Sequence, residues 1–263
     1  QRAKSAQIRD AENFVSLPKE LQVSYDKCAA IVCTWLHGIL KVSHIMVDRL
    51  SDDEAKKGDV TDIRIVADEK TVNLSIKHNH SALKHQRPPT TAIRCGCGKG
   101  SKEDIEFRKK LNSILDKFLI AAKGTVSGAG QFSDLLKHDK NFISKNLYKP
   151  VCELVVSTIN SLCNCADRAS ALFRFLVGNF DFYKIIDEKP RVRVLNFYKT
   201  GNPAAVCASL KDDSYVILQF SNGWVLEMRL HTASKRLGKS LKFDTQLSAE
   251  TKIEEIAINK AER

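Results

Sequence analysis

Two short segments, residues 62–67 and 72–77, constrain the fold of this chain more than any other feature. In each segment aliphatic residues alternate with residues that are mostly polar, and a polar turn lies between the segments. Period-2 alternation on both sides of a turn predicts a β-hairpin with one aliphatic and one polar face. With Glu69 and Lys70 at the tip, the ends of the two segments meet at the opposite end of the hairpin.

The polar face of this hairpin carries residue types that suit phosphodiester hydrolysis. In the expected register Asp62 lies opposite Lys77, and Ser75 shares their face. A carboxylate at a strand end can hold a divalent cation that lowers the pKa of bound water, and an ammonium can stabilise charge on phosphorus. Asp62 with Ser75-Ile76-Lys77 is a relaxed PD-(D/E)xK pattern in which serine replaces the second acid. On spacing alone, a solvated hairpin face is the commoner explanation.

Three separated stretches of the chain have distinctive sequences. The first combines Gly-Asp-Val-Thr-Asp-Ile at 58–63 with Leu-Ser-Ile-Lys-His-Asn-His-Ser-Ala-Leu-Lys-His-Gln-Arg at 74–87. The second covers 176–186, and the third combines 229–234 with 240–247. In this order they resemble the HaeIII-type restriction endonucleases. The resemblance extends over roughly residues 58 to 247, whereas the N-terminus and residues 90–170 share only a helical character with the family.

The resemblance implies a fold, an activity and a set of site residues. The fold is α/β or α+β, with a PD-(D/E)xK-like core, a mixed central sheet flanked by helices and a strand-rich C-terminal part. The activity is that of a type II site-specific deoxyribonuclease, which cuts double-stranded DNA with Mg²⁺ at a short G·C-rich site; we expect GGCC. Asp62, Lys77 and Ser75 are the catalytic candidates, with Asp62 as a metal ligand, and the resemblance implies that a small residue is tolerated in the serine position. Asp59, an acid on the preceding helix or a backbone carbonyl could supply the missing metal ligand.

Charge and basic segments indicate where a polyanion would bind. The net charge of +11 and the pI near 9.2 favour a partner such as nucleic acid. The candidate DNA contacts are His78, His80, Lys84, His85 and Arg87 in one segment, and Arg229, His231, Lys235 and Arg236 in another. Without the resemblance, solvated loops would be the default for both segments. The letters His-Asn-His at 78–80 suggest an HNH nuclease, but the signature residues of that family are spread over a longer ββα unit. The contiguity of the three residues therefore argues against this family.

Length, termini and cysteines set the broad class. A chain of 263 residues can bury a substantial core. It has no run long enough to span a membrane and no secretory segment, so we expect a cytoplasmic protein with no membrane partner. The resemblance implies a bacterial or archaeal source. Gln1 is not a usual initiator, so the sequence can begin inside a longer protein. The eight cysteines are expected to be reduced, and the two CxC pairs, Cys95/Cys97 and Cys163/Cys165, leave structural zinc open but disfavoured.

The chain reads as a single nuclease domain, 1–263, with four parts. These are an N-terminal helical part at 1–57, the catalytic hairpin and basic segment at 58–87, a helical part at 88–190 and a strand-rich, DNA-facing part at 191–263. Helical periodicity covers 19–50, 103–123, 150–163 and 167–178. β-prone runs cover 191–199, 204–210, 214–220 and 224–232. The expected buried stripe of the 19–50 helix is formed by Val23, Ala30, Ile31, Trp35, Ile39 and Leu40.

Two other classes of function remain open from sequence. One is a non-catalytic nucleic-acid-binding protein whose basic segments grip phosphates; the other is a basic structural protein without a specific ligand. Asp62 discriminates the nuclease from the non-catalytic binding protein, since a phosphate-binding face gains nothing from a carboxylate whereas a metal site requires one. A homodimer is one option for the assembly.

Overall fold

The structure, a computed structural model, describes residues 2–42, 44–50, 59–126, 130–198 and 200–260. Gly58 and the charged loop that precedes it in the sequence lie outside these residues. Within the described residues, no helix combines the length and the apolar character that a membrane span needs. The chain divides into two compact units. Unit 1 comprises Gln1–Ser81, Gly178–Thr200 and Ile253–Arg263, and unit 2 comprises Ala82–Val177 and Gly201–Lys252.

Helices and strands alternate irregularly along the chain, as in an α+β protein. The described α-helices are α1 (Arg2–Val15), α2 (Lys19–Leu40), α3 (Thr91–Arg94), α4 (Lys102–Thr125), α5 (Phe132–His138), α6 (Lys149–Leu162) and α7 (Ala166–Val177). The described strands are β1 (Met46–Arg49), β2 (Ile63–Ala67), β3 (Lys70–His78), β4 (Lys84–Gln86), β5 (Tyr183–Asp187), β6 (Arg191–Asn196), β7 (Val206–Asp212), β8 (Tyr215–Phe220), β9 (Val225–Thr232), β10 (Leu241–Leu247) and β11 (Glu255–Asn259).

Unit 1 is built on a mixed six-stranded sheet in the order β1-β2-β3-β5-β6-β11. The β3–β5 pair is parallel, and the other neighbouring strands are antiparallel. Helix α2 covers the aliphatic face of this sheet, where Val32, Leu36 and Leu40 pack into the same core as Ile65 and Leu74. Burying this face stabilises unit 1 because it removes apolar surface from water. The polar face of the hairpin is the opposite one, which this helix does not cover. The mixed sheet with a flanking helix confirms the predicted fold class.

Unit 2 contains a five-stranded antiparallel sheet in the order β4-β10-β9-β8-β7. Helix α6 packs against β7 and β8, so this sheet also has one covered face. The turn at Asn222-Gly223, where Gly223 has a φ of 85°, lies between β8 and β9. It matches the strong turn signal of that dipeptide, because a positive φ costs glycine little. These strands confirm that the C-terminal part is rich in β-structure.

Local sequence signals account for the long helices. The hydroxyl of Ser101 accepts a hydrogen bond from the Asp104 N–H and caps α4, whose first turn also contains Glu103. Acidic residues in a first turn complement the partial positive charge of a helix N-terminus. Helix α6 has Pro150 in its first turn, where a missing N–H costs nothing. The helices predicted at 103–123, 150–163 and 167–178 are therefore present, with ends shifted by one or two residues.

The helix predicted over 19–50 was wrong beyond residue 40, and its predicted buried stripe was only half right, since Leu40 is buried and Ile31 and Trp35 pack against the core. Helix α2 ends at Leu40, and the chain turns through a left-handed Lys41 before strand β1 begins. Val23 and Ile39 are exposed, whereas Cys28 and Val32 are buried. Apolar residues occur around most of this helix, so periodicity alone could not select the face that meets the sheet. Strand β5 was also missed, since it lies inside the part predicted to be helical, 88–190.

Candidate active site

The hairpin is present, but its register differs from the expected one. Ala67 pairs with Lys70 and Ile63 pairs with Leu74, so the tip is formed by Asp68 and Glu69. The prediction that Asp62 lies opposite Lys77 is therefore wrong by two residues. The Asp62 N–H donates to the Leu74 carbonyl over 2.8 Å, next to Ser75. A slip of two residues keeps every side chain on its face, so the polar face forms as predicted.

Asp62 and Lys77 come together at the end of this polar face. Oδ2 of Asp62 accepts a hydrogen bond from the Ile76 N–H over 2.6 Å and lies 3.4 Å from the Ser75 hydroxyl. The same oxygen lies 3.6 Å from Nζ of Lys77. The Asp62 and Lys77 side chains are 36% and 27% exposed. Oδ1 of Asp62 makes no hydrogen bond or ion pair with any described residue, so it is open to a ligand from solvent.

Asp59, the second metal-ligand candidate, is held inside the hairpin. Its Oδ1 accepts from the Thr61 N–H over 3.0 Å, and its Oδ2 accepts from Arg64 over 2.7 Å. The Asp59 side chain is only 4% exposed, so binding a cation there would require breaking the ion pair with Arg64. Among the residues that the structure describes, no group of three or more His, Cys, Asp and Glu side chains is arranged as a metal site.

The donor set at Asp62 fits a cation that shares its ligands with a substrate. Mg²⁺ commonly keeps several waters and takes one or two carboxylates together with phosphate oxygens. The open Oδ1 of Asp62 supplies one such carboxylate oxygen, and the Ser75 hydroxyl lies 3.4 Å from the other oxygen, Oδ2. The described residues do not form a metal site in which protein side chains supply every ligand.

Lys184 is a member of this face that the sequence did not reveal. Strands β3 and β5 pair in parallel with Ser75 beside Lys184, which places the lysine side chain on the same face as Asp62 and Lys77. Nζ of Lys184 donates to the Ser81 carbonyl over 2.8 Å, and the residue is almost completely buried. Burial, and to a smaller extent the charge of Lys77, lower the pKa of Lys184 to about 7, and the charge of Asp62 opposes this shift. No local pattern connects β3 to a parallel strand so distant along the chain.

His78 belongs to the opposite, helix-covered face of unit 1. Its Nδ1 lies 2.9 Å from the buried Asp187 carboxylate, and its ring meets Tyr25 edge-on at 5.0 Å between centroids. Asp187 also forms an ion pair with Lys260. His78 is thus part of a polar network beneath α2, whereas His80 is exposed. A role for either histidine in binding DNA stays a prediction.

The basic segments of unit 2 converge on an acid that the sequence did not single out. Asp244 on β10 accepts hydrogen bonds from His85 on β4 and from Nε2 of His231 on β9, the latter over 2.7 Å. Burial raises the Asp244 pKa, but the hydrogen bond and charge of His85 and the charge of His231 outweigh this effect and lower it. Arg229 lies directly opposite Asp244 and is exposed. Both predicted histidines and Arg229 therefore share the sheet face that is turned away from the helices of unit 2.

The remaining predicted DNA contacts of unit 2 are spread over different surroundings. Lys235 and Arg236 are exposed, and their backbones are tied to residues 131 and 132 by a hydrogen bond and a β-bridge. A cleft of about 690 Å³ beside them is lined by His231, Lys235, Lys242 and residues of α5. Arg87 donates to the Ser240 hydroxyl over 2.9 Å. Lys84 points to the helix-covered side of its sheet, because it precedes the outward-facing His85 by one residue.

Two of the cysteines from the CxC pairs meet inside unit 2. The thiols of Cys95 and Cys163 form a hydrogen bond, which raises the pKa of Cys95 and lowers that of Cys163. Cys97 is buried close to them, whereas Cys165 is exposed. The two pairs are thus neighbours in space, but their side chains are not arranged around a common metal position in the described part of the chain.

Comparisons with known proteins match most of the chain. The profile of the HaeIII restriction endonuclease family matches residues 5–211. A curated protein, the type II restriction enzyme HaeIII of Haemophilus aegyptius, is 24% identical to this chain over 238 residues. That alignment covers 75% of this chain and 68% of the relative. No solved structure matches the chain.

Proposed function

The chain belongs to the HaeIII restriction endonuclease family, and we propose that Asp62, Lys77 and Ser75 form the centre at which it hydrolyses double-stranded DNA. The observation that carries the proposal is the pairing of Asp62 with Lys77 on an accessible, polar face of the hairpin. The carboxylate has one oxygen fixed by the Ile76 N–H and the Lys77 ammonium, and its other oxygen is open. This combination of a fixed orientation and an open acceptor suits a ligand that arrives with the substrate.

We propose Mg²⁺ as the ion that Asp62 would hold, with the Ser75 hydroxyl beside it. When bound, such an ion lowers the pKa of water and screens negative charge on phosphate. The residues of the chain have separate tasks. The Ile76 N–H orients the Asp62 carboxylate, and the Lys77 ammonium stabilises the charge that develops on the scissile phosphate. Asp59 keeps Arg64 in place within the hairpin.

The contacts that select the DNA sequence are proposed for unit 2. Arg229 is exposed on the outward face of the five-stranded sheet, next to the His85–Asp244–His231 cluster, and Lys235 and Arg236 are exposed beyond β9. An arginine can donate two hydrogen bonds to the O6 and N7 atoms of a guanine, which suits a G·C-rich site such as GGCC. Because GGCC is a palindrome, a homodimer would present one active centre to each strand.

The decisive experiment is cleavage of plasmid DNA by the purified chain with and without magnesium. We expect discrete fragments with magnesium and none in excess EDTA. Asp62→Ala should abolish cleavage and retain DNA binding, because a metal ligand is lost but no phosphate contact. Lys77→Ala should lower kcat by about 10²–10³. A smear in place of discrete bands would disprove site-specific cleavage, and full activity of Asp62→Ala would remove the assigned centre. Binding without cleavage under every condition would favour the non-catalytic alternative.

A further inference from the structure

Two cationic side chains of unit 2 share one aromatic ring. The guanidinium carbon of Arg94, the last residue of α3, lies 4.0 Å from the centroid of the Phe175 ring on α7. Nζ of Lys84 on β4 lies 5.3 Å from the same centroid. The ring holds both cations by attraction to its electron-rich face. Three separate elements thus bring two like charges to one position.

Neither cation has an acidic partner among the residues that the structure describes. Neither Lys84 nor Arg94 makes a side-chain hydrogen bond or an ion pair with any described residue, and Nε of Arg94 is buried without a partner. Burial lowers the pKa of Lys84, and the neighbouring charge of Arg94 lowers it further. Burial also lowers the pKa of Arg94. Partly desolvated like charges that lack a counter-charge are costly in the free protein, so an anion that reached them would be bound favourably.

Other cations of the same unit show that acids are not scarce there. On α4, Arg108 pairs with Asp104 over 2.8 Å and Lys110 pairs with Glu106 over 2.8 Å. Within the described part of unit 2, the lack of a carboxylate paired with Lys84 or Arg94 is therefore a local property. Thr245, directly opposite Lys84 on β10, adds a buried hydroxyl that also has no hydrogen-bond partner among the described residues.

We propose that Lys84 and Arg94 form an anion-binding site that receives one phosphate group of the DNA backbone. The Phe175 ring restrains both side chains, which leaves the N–H groups at the edge of the guanidinium to donate to phosphate oxygens. The site is distinct from the outward-facing cluster around Asp244, because Lys84 lies on the other face of the sheet. As a phosphate contact it would add affinity without reading sequence. This inference rests on DNA being the substrate.

The test measures binding of the intact chain to a DNA duplex in EDTA across a salt series. The variants are Lys84→Met and Arg94→Met, and the matched control is Lys109→Met, which removes an exposed α4 lysine that makes no described ion pair. We expect each test variant to bind DNA about tenfold more weakly and to flatten the salt slope by about one unit. The control should leave both quantities near those of the parent. Lys84→Arg and Arg94→Lys keep the charges and should keep most of the affinity.

Thermal unfolding separates a binding role from a structural one. Because removal of an uncompensated, desolvated charge relieves repulsion, Lys84→Met and Arg94→Met should melt at the parent temperature or above it. Inorganic phosphate should raise the Tm of the parent more than chloride of equal ionic strength, and the two variants should lose this effect. Variants that melt several degrees lower would show that the cations hold the fold, which would overturn the site.

The outcomes distinguish this site from the proposed function. If the parent binds DNA and the test variants match Lys109→Met, the anion site is disproved while the nuclease proposal stands. If the parent neither binds nor cuts DNA but phosphate stabilises it through Lys84 and Arg94, the proposed function fails and a site for free phosphate remains. If neither DNA nor phosphate has an effect, both proposals are lost.

Discussion

At the scale of single residues, the proposed catalytic face combines residues that the sequence could predict with one that it could not. Asp62, Ser75 and Lys77 follow from period-2 alternation, which assigns faces correctly even when the register slips by two residues. Lys184 joins them only through the parallel β3–β5 pairing. Alternation within one strand says nothing about which distant strand will lie beside it, so this lysine could not be placed from the sequence. The ion pair between Asp59 and Arg64 could not be predicted from the sequence either, because it depends on the path of the chain before β2.

Lys184 gives the stability of unit 1 a defined pH dependence. Its pKa is about 7 in the folded chain and 10.5 ordinarily. Between these values the unfolded chain binds a proton that the folded chain does not, so stability should rise as the pH increases through this window. Below pH 7 the cost of the buried charge is present in full. Lys184→Met lacks this cost, and its advantage in stability over the parent should be largest in acid.

Urea unfolding at about pH 6 and about pH 9 measures this effect. The gain from Lys184→Met should be on the order of a few kcal/mol at the lower pH and smaller at the higher one. Lys77→Met, on the same face but partly exposed, is the control and should show a much weaker trend. A gain that is equal at both pH values would contradict the depressed pKa.

At the scale of elements, hydrophobic periodicity located the long helices and many strands but placed only half of the buried stripe of α2 correctly. Strands β6 to β9 and the helices α4, α6 and α7 lie close to their predicted limits, whereas β10 and β11 were not predicted. In α2, apolar residues surround the helix, and only packing against β2 and β3 selects Cys28, Val32 and Leu36. Tertiary contact thus decides between faces that are similar in composition.

Substitutions in α2 test which face carries the stability. Leu36 is 5% exposed and Ile39 is 39% exposed. Leu36→Ala should destabilise the chain by about 2–5 kcal/mol, because it opens a cavity against the sheet. Ile39 was predicted to be buried but is exposed, so Ile39→Ala, which removes a side chain of comparable size, should cost less than about 1 kcal/mol. Chemical denaturation of both variants makes the comparison, and a cost for Ile39→Ala equal to or above that for Leu36→Ala would contradict the assigned buried face of α2.

At the scale of the whole molecule, the net charge of +11 predicts affinity for a polyanion but does not identify the cations that bind it. Of the nine predicted DNA contacts, His78 lies in a network beneath α2, and Lys84 and His85 point to opposite faces of one sheet. Basic residues that are adjacent in sequence therefore do not form one surface. Consecutive side chains of a strand point to opposite faces of its sheet, and composition carries no information about which face each side chain takes.

Arg229 tests whether the outward face of the unit 2 sheet reads DNA sequence. Arg229→Ala should weaken binding to a GGCC duplex by about 1–3 kcal/mol, and should weaken binding to a scrambled duplex much less. The measurement uses Asp62→Ala as the parent, so that the DNA stays intact. Lys211→Ala is a suitable control, since that lysine pairs with Glu227 in the same sheet. Equal losses on both duplexes would reduce Arg229 to a phosphate contact, and equal affinity of the parent for both would exclude GGCC.

The parallel pairing of β3 with β5 also affects how the chain folds during its synthesis. The carbonyl of Ser81 and the amine of Lys184 that binds it are 103 residues apart in sequence. During synthesis the hairpin leaves the ribosome long before β5, and contacts that span such a distance form slowly because a large loop must close first. A nascent chain should therefore contain Asp62 and Lys77 for some time before it contains their complete surroundings. For a polypeptide of a family that cuts DNA, this delay postpones the hazard to the genome of the cell that makes it.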